Sequence, residues 1–296
     1  MSEPNKEKNF ISAVIYVHND ASHILEFIQS IDEILVAHFE NYEIICVNDA
    51  SSDDSLIKLK EIKLNEESVV SIINLSSYHG LENAMKIGID FAIGDFIYEF
   101  DHSTLTFNPQ LIIKLYETSL TGFDIVSAIP NQKPRLASRV FYKIIKQFSD
   151  ISSPLTTEMF RLLSRRAINR INAMNKEIPY RKAVYANCGL KKTSIFIDER
   201  TKPVYDKTEI RYQSELAINC ILIFTDIGFK LSTCMSIAMI LISLFMLIYS
   251  LIIYLSGNAI TGWTTTILFL SVAFSGVFVI SAIALKYLQL ESNWRL

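Results

Sequence analysis

The sequence predicts an α/β protein: a mainly parallel sheet sandwiched by helices, followed by a two-helix transmembrane hairpin. Three observations predict it. Short β-rich apolar runs alternate with segments of helical periodicity between residues 10 and 130. Polar clusters follow the ends of those runs, where a parallel sheet places its ligands. The 55 residues from Leu231 to Leu285 contain no Asp, Glu, Lys, Arg or His, which is room for two spans of ~20 residues and a turn.

Phe10–Val17 (FISAVIYV) reads as a first buried strand. Ser22 is placed to cap a helix with Ile24, Ile28, Ile31 and Leu35 on one face. Glu43–Val47 is a second strand, ending at Asn48-Asp49, and Asp53 caps a helix with Leu56, Leu59 and Ile62 inward. Val69–Leu75 is a third strand. Gly80 then precedes a helix in which Leu81, Ala84, Met85, Gly88 and Ala92 recur at helical spacing. Phe96–Phe100 and Ile125–Ile129 are the fourth and fifth strands. The hairpin helices are expected at about Ser232–Leu255 and Trp263–Leu288, with Ser256, Gly257, Asn258, Thr261 and Gly262 at the turn. Lys230, Lys286 and Arg295 flank the spans, and the hairpin loop has no positive charge. The positive-inside rule then puts both ends, with residues 1–230, in the cytoplasm of a multi-pass membrane protein. No signal peptide is expected, because Met1–Asn9 is polar and the apolar run after it is short.

Composition excludes several classes. Half of the 296 residues are apolar and 20% are charged, so disorder is not the dominant state. Only 9 residues are glycine, and neither G-x-G-x-x-G nor G-x-x-x-x-G-K occurs, which removes the dinucleotide fingerprint and the P-loop. No internal period supports a repeat array. The four cysteines form no C-x-x-C pair and read as reduced core thiols; Cys188 beside Gly189 reads as packing. Charge is unevenly spread: residues 1–130 hold 7 Lys/Arg against 21 Asp/Glu, and residues 131–296 hold 21 against 10.

Three polar clusters stand at strand ends: His18-Asn19-Asp20, Asn48-Asp49 with Asp53, and Asp101-His102-Ser103. Converging on one sheet edge, they suit a metal-bound diphosphate. Hard oxygen ligands select Mg2+ or Mn2+, and Mg2+ keeps waters and substrate phosphates in its shell. Loop capping is the alternative for any one cluster. His18, His79 and His102 could be a metal trio, but their neighbours are carboxylates and hydroxyls. In the basic half, Arg135, Arg139, Lys143 and Lys146 form one helical stripe beside Val140, Phe141, Ile144, Ile145 and Phe148. That pattern suits an in-plane helix on anionic membrane lipids, or equally a surface helix packed on its own domain. Arg161, Arg165, Arg166 and Arg170 form a second basic cluster.

These residues resemble family 2 glycosyltransferases of the GT-A fold, and within them polyprenyl-phosphate glycosyltransferases of the dolichyl-phosphate mannose synthase and bactoprenol glucosyltransferase type. The family's opening P-V-Y-N-E is matched by Tyr16-Val17-His18-Asn19-Asp20, and its V-D-D-G-S-T-D by Val47-Asn48-Asp49-Ala50-Ser51-Ser52-Asp53. Its N-x-G-x-x-x-A is matched by Tyr78-His79-Gly80 with Ala84, followed by Gly88 and Gly94-Asp95. D-A-D becomes Asp101-His102-Ser103, and F-R-L-x-S-R becomes Phe160-Arg161-Leu162-Leu163-Ser164-Arg165. The charge-free hairpin matches the two C-terminal spans of the bactoprenol branch. Asn48 stands where the family has an acid, Ala50 where it has glycine, Ser103 where it has the second Asp, and Met159 where many relatives have an Asp, with Glu158 one step earlier.

The resemblance implies an inverting transfer of a sugar from a nucleoside-diphosphate sugar to polyprenyl (undecaprenyl) phosphate in surface-glycan assembly. It implies a nucleotide-sugar-binding part at residues 1–130, an acceptor-side part at 131–230 and the hairpin at 231–290. His18, Asn19, Asp20, Asp49, Asp53 and Gly80 are the expected nucleotide-sugar residues. Asp101 and Ser103 would hold Mg2+ or Mn2+, with Asp101 and Glu158 as the catalytic candidates. Arg161, Arg139 and Arg200 are the expected contacts of the acceptor phosphate, since guanidinium binds phosphate bidentately. Membrane lipids are further expected partners, nucleic acid is not, and a homo-oligomer is left open. Two alternatives share the fold: transfer to a sugar already on a lipid carrier, and a membrane scaffold with an impaired site. A processive synthase is disfavoured, because no R-x-x-R-W motif occurs.

Overall fold

The computed structural model describes residues 6–62, 64, 68–131, 136–148, 157–174, 180–197, 217, 227–256 and 262–294. It divides into two compact units: Met1–Gln147 with Ile151–Cys220, and Phe148–Asp150 with Ile221–Leu296.

The first unit opens as the apolar pattern requires. Strand β1 (Ile11–Val17) leads to helix α1 (Ile24–His38), β2 (Tyr42–Asp49), α2 (Ser55–Glu61), β3 (Val69–Leu75), α3 (Leu81–Phe91) and β4 (Phe96–Phe100). Then come α4 (Leu111–Leu120), β5 (Ile125–Pro130), α5 (Leu136–Phe148), β6 (Phe160–Ser164), α6 (Arg165–Ala173), α7 (Arg181–Asn187) and β7 (Lys192–Ile197). The sheet order is β3-β2-β1-β4-β6-β5-β7. Neighbours pair in parallel except β6, which runs antiparallel to both β4 and β5. The sheet is therefore mixed, with a parallel half at β3-β2-β1-β4, and its pairings join residues on both sides of position 130.

Side chains alternate across the strands, so the sheet has two buried faces. Ile11, Ala13 and Ile15 of β1, with Ile44 and Cys46 of β2 and Tyr98 and Phe100 of β4, face Phe27, Ile31 and Leu35 of α1 and Ile112 and Leu115 of α4. Val14, Ile45, Val47 and Ile97 face the other way, onto Ala84, Met85 and Ile89 of α3, Ala167 and Ile168 of α6, and Val184 and Tyr185 of α7. Burial on both faces explains why β1, β2 and β4 read as largely apolar runs.

Two local expectations are corrected. Ser22 does not cap α1: the N-cap position is His23, and the amides of His23 and Ile24 donate to the Asp20 carbonyl. Strands β6 and β7 were not expected as strands. At the start of α2, Asp53 does accept from the Ser55 amide at 3.0 Å, although the N-cap position is Asp54.

The Gly94-Asp95 motif proves structural. A Cβ at Gly94 would lie 2.6 Å from the Ser12 amide nitrogen and 2.9 Å from the Phe10 carbonyl oxygen. The Gly94 amide donates to Ser12 Oγ at 2.8 Å, and Asp95 Oδ2 accepts from the Phe10 amide at 2.9 Å. Arg165 closes the same turn, its guanidinium donating to the carbonyls of Ala92 and Gly94. At the β2 end, Ala50 holds φ at +50°, in the left-handed region. This is the position at which the resemblance expected glycine.

In the second unit, α8 (Ile227–Leu255) and α9 (Trp263–Trp294) pack against each other as a hairpin. Both helices run longer than expected, at one end of α8 and the far end of α9. Within them Ser232–Leu255 and Thr265–Lys286, of mean hydropathy 2.6 and 2.5, are long and apolar enough to cross a membrane. At 1.5 Å per residue the first is roughly 36 Å long, against a hydrocarbon core of ~30 Å. Phe245, Ile252, Phe269 and Ile280 are exposed along them, a pattern that water would penalise and lipid would not.

Two stability outcomes follow. Gly94→Ala drives a methyl into backbone, at a cost of about 1–3 kcal/mol, so thermal unfolding of the detergent-solubilised protein should come roughly 3–10 °C lower. An unchanged midpoint would refute the close approach. Ala50→Gly relieves about 1–2 kcal/mol of left-handed strain against about 0.5–1 kcal/mol of added chain entropy. Its midpoint should rise by roughly 1–4 °C, and a fall would contradict the assigned conformation.

Candidate active site

The carboxyl ends of β2, β1 and β4 lie side by side in the sheet, and each delivers one of the three polar clusters. After β1, Asn19 takes a left-handed turn, φ +52°, which asparagine tolerates. Its Oδ1 accepts from the Ser52 amide at 2.7 Å, and its own amide donates to Ser51 Oγ at 3.0 Å. His18 Nδ1 donates to the Asp49 carbonyl at 2.6 Å, and its ring lies 4.8 Å from that of the exposed Tyr78. Asp53 Oδ2 accepts from the Ala21 amide at 3.0 Å. Burial alone would raise the Asp53 carboxyl, but hydrogen bonds from Ser55 and Ala21 hold it below its usual range. The β1 and β2 loops are thus stitched together by their own motif residues.

Asp49 is fully buried at the end of β2. Its Oδ1 accepts from the His79 amide and its Oδ2 from the Gly80 amide, both at 2.8 Å, and Tyr16 Oη donates to Oδ2 at 3.1 Å. Burial and then the Asp49 charge push the Tyr16 hydroxyl well above its ordinary value, so it stays a donor. Gly80, at φ +79°, makes the turn into α3. Asp49 therefore fixes the β3–α3 loop. Asn48 links the same loops, donating to Asn74 Oδ1 at 2.7 Å and accepting from Ser51 Oγ at 2.5 Å.

Asp20 and Ser103 join the first and third clusters: Ser103 Oγ donates to Asp20 Oδ2 in a short hydrogen bond. The other Asp20 oxygen lies 2.6 Å from His23 Nδ1. His102 is exposed.

The densest feature surrounds Asp101, which is 4% exposed. Glu99 and Asp101, two apart at the β4 end, share a sheet face. On the neighbouring strand Arg161 stands directly across from Glu99. Arg161 Nη1 donates to Glu99 Oε2 at 2.9 Å and Nη2 to Asp101 Oδ2 at 2.7 Å. From α7, Arg181 Nη1 donates to the same Glu99 oxygen at 3.0 Å and Nη2 to Asp101 Oδ1 at 2.8 Å. Arg181 Nε donates to Glu82 Oε2 of α3 at 2.9 Å, as does the Arg181 amide. Tyr185 Oη donates to the remaining Glu99 oxygen in a short hydrogen bond. Glu158 Oε2 lies 3.0 Å from Arg161 Nε in an ion pair without hydrogen-bond geometry. The Glu158 side chain keeps 17% exposure, so water reaches it as it does not reach Glu99.

Electrostatics separate the two β4 acids. Burial pushes the Glu99 carboxyl up, against the pull of Arg181 and Arg161, and burial prevails. At Asp101 burial acts in the same sense, but Arg161, Arg181 and Lys182 together hold the carboxyl far below its ordinary range. Asp101 is therefore a fixed anion at neutral pH.

The expectation that Arg161 meets an acceptor phosphate is corrected: it is fully buried, and three carboxylates surround its guanidinium. Arg139 is exposed on α5, where Phe141 and Ile145 turn inward and Phe141 meets the Tyr180 ring at 6.3 Å. That favours a helix packed on its own unit along its apolar side. Arg200 lies outside the described residues, as does Arg135 of the basic stripe.

For a divalent cation the available donors are the free lone pairs of Asp101, the Ser103 hydroxyl and the neighbouring Asp20. Among the described residues no group of three His, Cys, Asp or Glu side chains could hold a metal. The set fits a cation that takes most of its shell from a diphosphate and water, as Mg2+ commonly does.

Glu82, Arg181 and Tyr185 were missed in the sequence, although a signal existed. Glu82 shares its helix face with Met85 and Ile89, and Arg181 with Val184, Tyr185 and Cys188, all buried. A charge on an apolar stripe at helical spacing marks a buried ion pair.

Comparison with known proteins agrees with this geometry. The chain is 28% identical over 280 residues to the uncharacterized glycosyltransferase YkcC of Bacillus subtilis (strain 168), covering 91% of this chain and 85% of that one. It is 28% identical over 142 residues to the undecaprenyl-phosphate 4-deoxy-4-formamido-L-arabinose transferase of Klebsiella pneumoniae (strain 342), covering 46% of this chain and 43% of that one. The chain thus spans less than half the length of that transferase. Its fold matches the mannosyltransferase PcManGT from Pyrobaculum calidifontis, solved in complex with GDP-Man and Mn2+, with a TM-score of 0.52 at 13% identity over 70% of this chain and 60% of that one. At that identity the likeness establishes the GT-A fold. The sequence profile of glycosyl transferase family 2 matches residues 12–171, more than half of the 296, and the chain belongs to that family of enzymes.

Proposed function

We propose that this chain moves a sugar from a nucleoside-diphosphate sugar to polyprenyl phosphate, with inversion, in surface-glycan assembly. One observation carries the reading. The strand-end clusters close into a single site, through the Ser103–Asp20 bond, in a chain that continues into two helices able to span a membrane. The likeness to an undecaprenyl-phosphate transferase supports the acceptor class. Lys230 and Lys286 at the span ends support a cytoplasmic catalytic unit in the inner membrane.

The chemistry needs few groups. An acceptor phosphate oxygen attacks the anomeric carbon as the bond to the donor's β-phosphate oxygen breaks. The bonding pair leaves with the nucleoside diphosphate. A phosphate monoester has a second pKa of about 6, so its oxygen arrives ionised and no proton need be removed. Positioning then supplies most of the rate. The His18–Tyr78 face and Asp20 would meet the nucleoside, and the loop fixed by Asp49 would border it. Asp53 would act through the loop it holds. Asp101 and Ser103 would hold Mg2+ or Mn2+, which when bound would offset charge developing on the leaving diphosphate. Arg139 and Arg200 remain the proposed acceptor-phosphate contacts.

Glu158 favours a second reading. A partly exposed carboxylate beside the Asp101 network could take the proton of a hydroxyl, as transfer to a lipid-linked saccharide requires.

Radiolabelled UDP-glucose and GDP-mannose, offered to the purified protein with undecaprenyl phosphate, separate the readings. A monoglycosyl lipid phosphate is expected. Label appearing only on a lipid-linked saccharide would replace the first reading by the second. Asp101→Asn should lower transfer by about 100-fold or more; full turnover would remove Asp101 from the site. Ser103→Asp adds a carboxylate against Asp20. The variant should gain thermal stability from Mn2+ plus UDP beyond the wild type, and equal shifts would place the cation elsewhere.

A further inference from the structure

Arg181 occupies a junction. Two residues before Glu82, the Gly80 amide is held by Asp49, so Glu82 belongs to the same turn as the loop that Asp49 fixes. Arg181 grips Glu82 through both its amide and Nε, and with the other end of its guanidinium reaches Asp101. It is 6% exposed. Its side chain is thereby spent on three carboxylates: Glu82, Glu99 and Asp101. Asp49 and Asp101 are connected through the Gly80 amide, the two-residue step of chain from Gly80 to Glu82, and the Arg181 guanidinium.

A structural role alone is a poor account of this arrangement. Buried ion pairs add little stability over apolar packing of the same volume, and Val184 and Cys188 show that apolar residues fit this helix face. What a planar fork adds is fixed geometry, which a lysine ammonium cannot reproduce. Resting on the sugar-transfer reading above, we propose that Arg181 is a positioning residue for the reaction: it holds the β3–α3 loop and the Asp101 carboxylate at one set spacing, so that both meet the same donor.

The test uses the full chain in detergent, with UDP-glucose and GDP-mannose as donors and undecaprenyl phosphate as acceptor. Arg181→Lys and Arg181→Ala should lower kcat by about 100-fold, the scale of a displacement of roughly 1 Å, while the donor KM moves by less than about threefold. Added guanidinium ion should restore about tenfold of the Arg181→Ala loss and do nothing for the wild type. Glu82→Gln should cost about tenfold in kcat and speed hydrogen exchange of the His79 and Gly80 amides.

Wild-type kcat in Arg181→Lys would overturn the proposal. So would a loss confined to KM, or a loss that guanidinium does not relieve while the unfolding temperature falls. If the Arg181 variants do not fold, Glu82→Gln decides, and unchanged kcat with unchanged exchange overturns the proposal. If the wild type itself transfers neither sugar, the sugar-transfer reading fails in the form tested. The positioning claim is then judged by loop exchange alone: unchanged protection at residues 76–84 in Glu82→Gln refutes it.

Discussion

Two buried guanidiniums among four carboxylates impose the main constraint on this fold. These six groups come from four places in the chain: Glu82 from α3, Glu99 and Asp101 from the end of β4, Glu158 and Arg161 from the start of β6 and the residues before it, and Arg181 from α7. Removing one partner from such a group leaves a buried charge uncompensated, at a cost of about 3–5 kcal/mol. The strands and helices that carry these residues are therefore not free to shift independently. The reversed direction of β6 follows the same logic: inserted antiparallel between β4 and β5, it brings Arg161 into register with Glu99. The electrostatic result is uneven. Glu99 is pushed toward its neutral form while Asp101 is held ionised, so the charge is concentrated at the strand end.

Around that centre, most motif residues hold one another. Asn19 binds Ser52, Asp53 binds Ala21, Asn48 binds Asn74 and Asp49 binds the Gly80 amide. Each bond is modest, about 0.5–1.5 kcal/mol net. Together they fix three loops that would otherwise sample many conformations, and so lower the ordering cost of binding a ligand. The strained φ of Ala50 lies in this tightly bonded region, where surrounding bonds can sustain a conformation that the residue disfavours.

The parallel half of the fold was legible because β1, β2 and β4 are buried on both faces and run largely apolar, as in Ile11–Val17. The hairpin was legible from composition alone. Strand β6 was not, because Arg161 breaks the apolar run of Phe160–Leu163; only pairing with Glu99, 62 residues away, makes that arginine a core residue. Strand β7 has partly exposed Lys192 and Thr193 and exposed Ser194 at its start and resembles a loop. The three clusters were legible as a site, since strand-end loops are where a parallel sheet exposes polar chemistry. Which members hold loops and which face a ligand was not, because both jobs use Asp, Asn and Ser. Arg161 shows the limit most clearly: within a run of arginines, sequence favours a solvated basic patch, and the acids that bury it are distant in the chain.

The departure at Met159, where many relatives have an Asp, bears on the acceptor of the proposed transfer. An acceptor hydroxyl must lose its proton as it attacks, which calls for a base of fixed position and suitable basicity. Glu158 is an imperfect one, because its inward oxygen already lies against Arg161 and its protonation would weaken that ion pair. An ionised phosphate asks for no base. It asks that donor and acceptor be held in line, and effective molarity from orientation alone is worth about 7–11 kcal/mol in well-aligned cases. For the proposed transfer, a site whose buried charges fix Asp101 and whose nearby Glu158 is already paired with Arg161 suits a phosphate acceptor better than a hydroxyl.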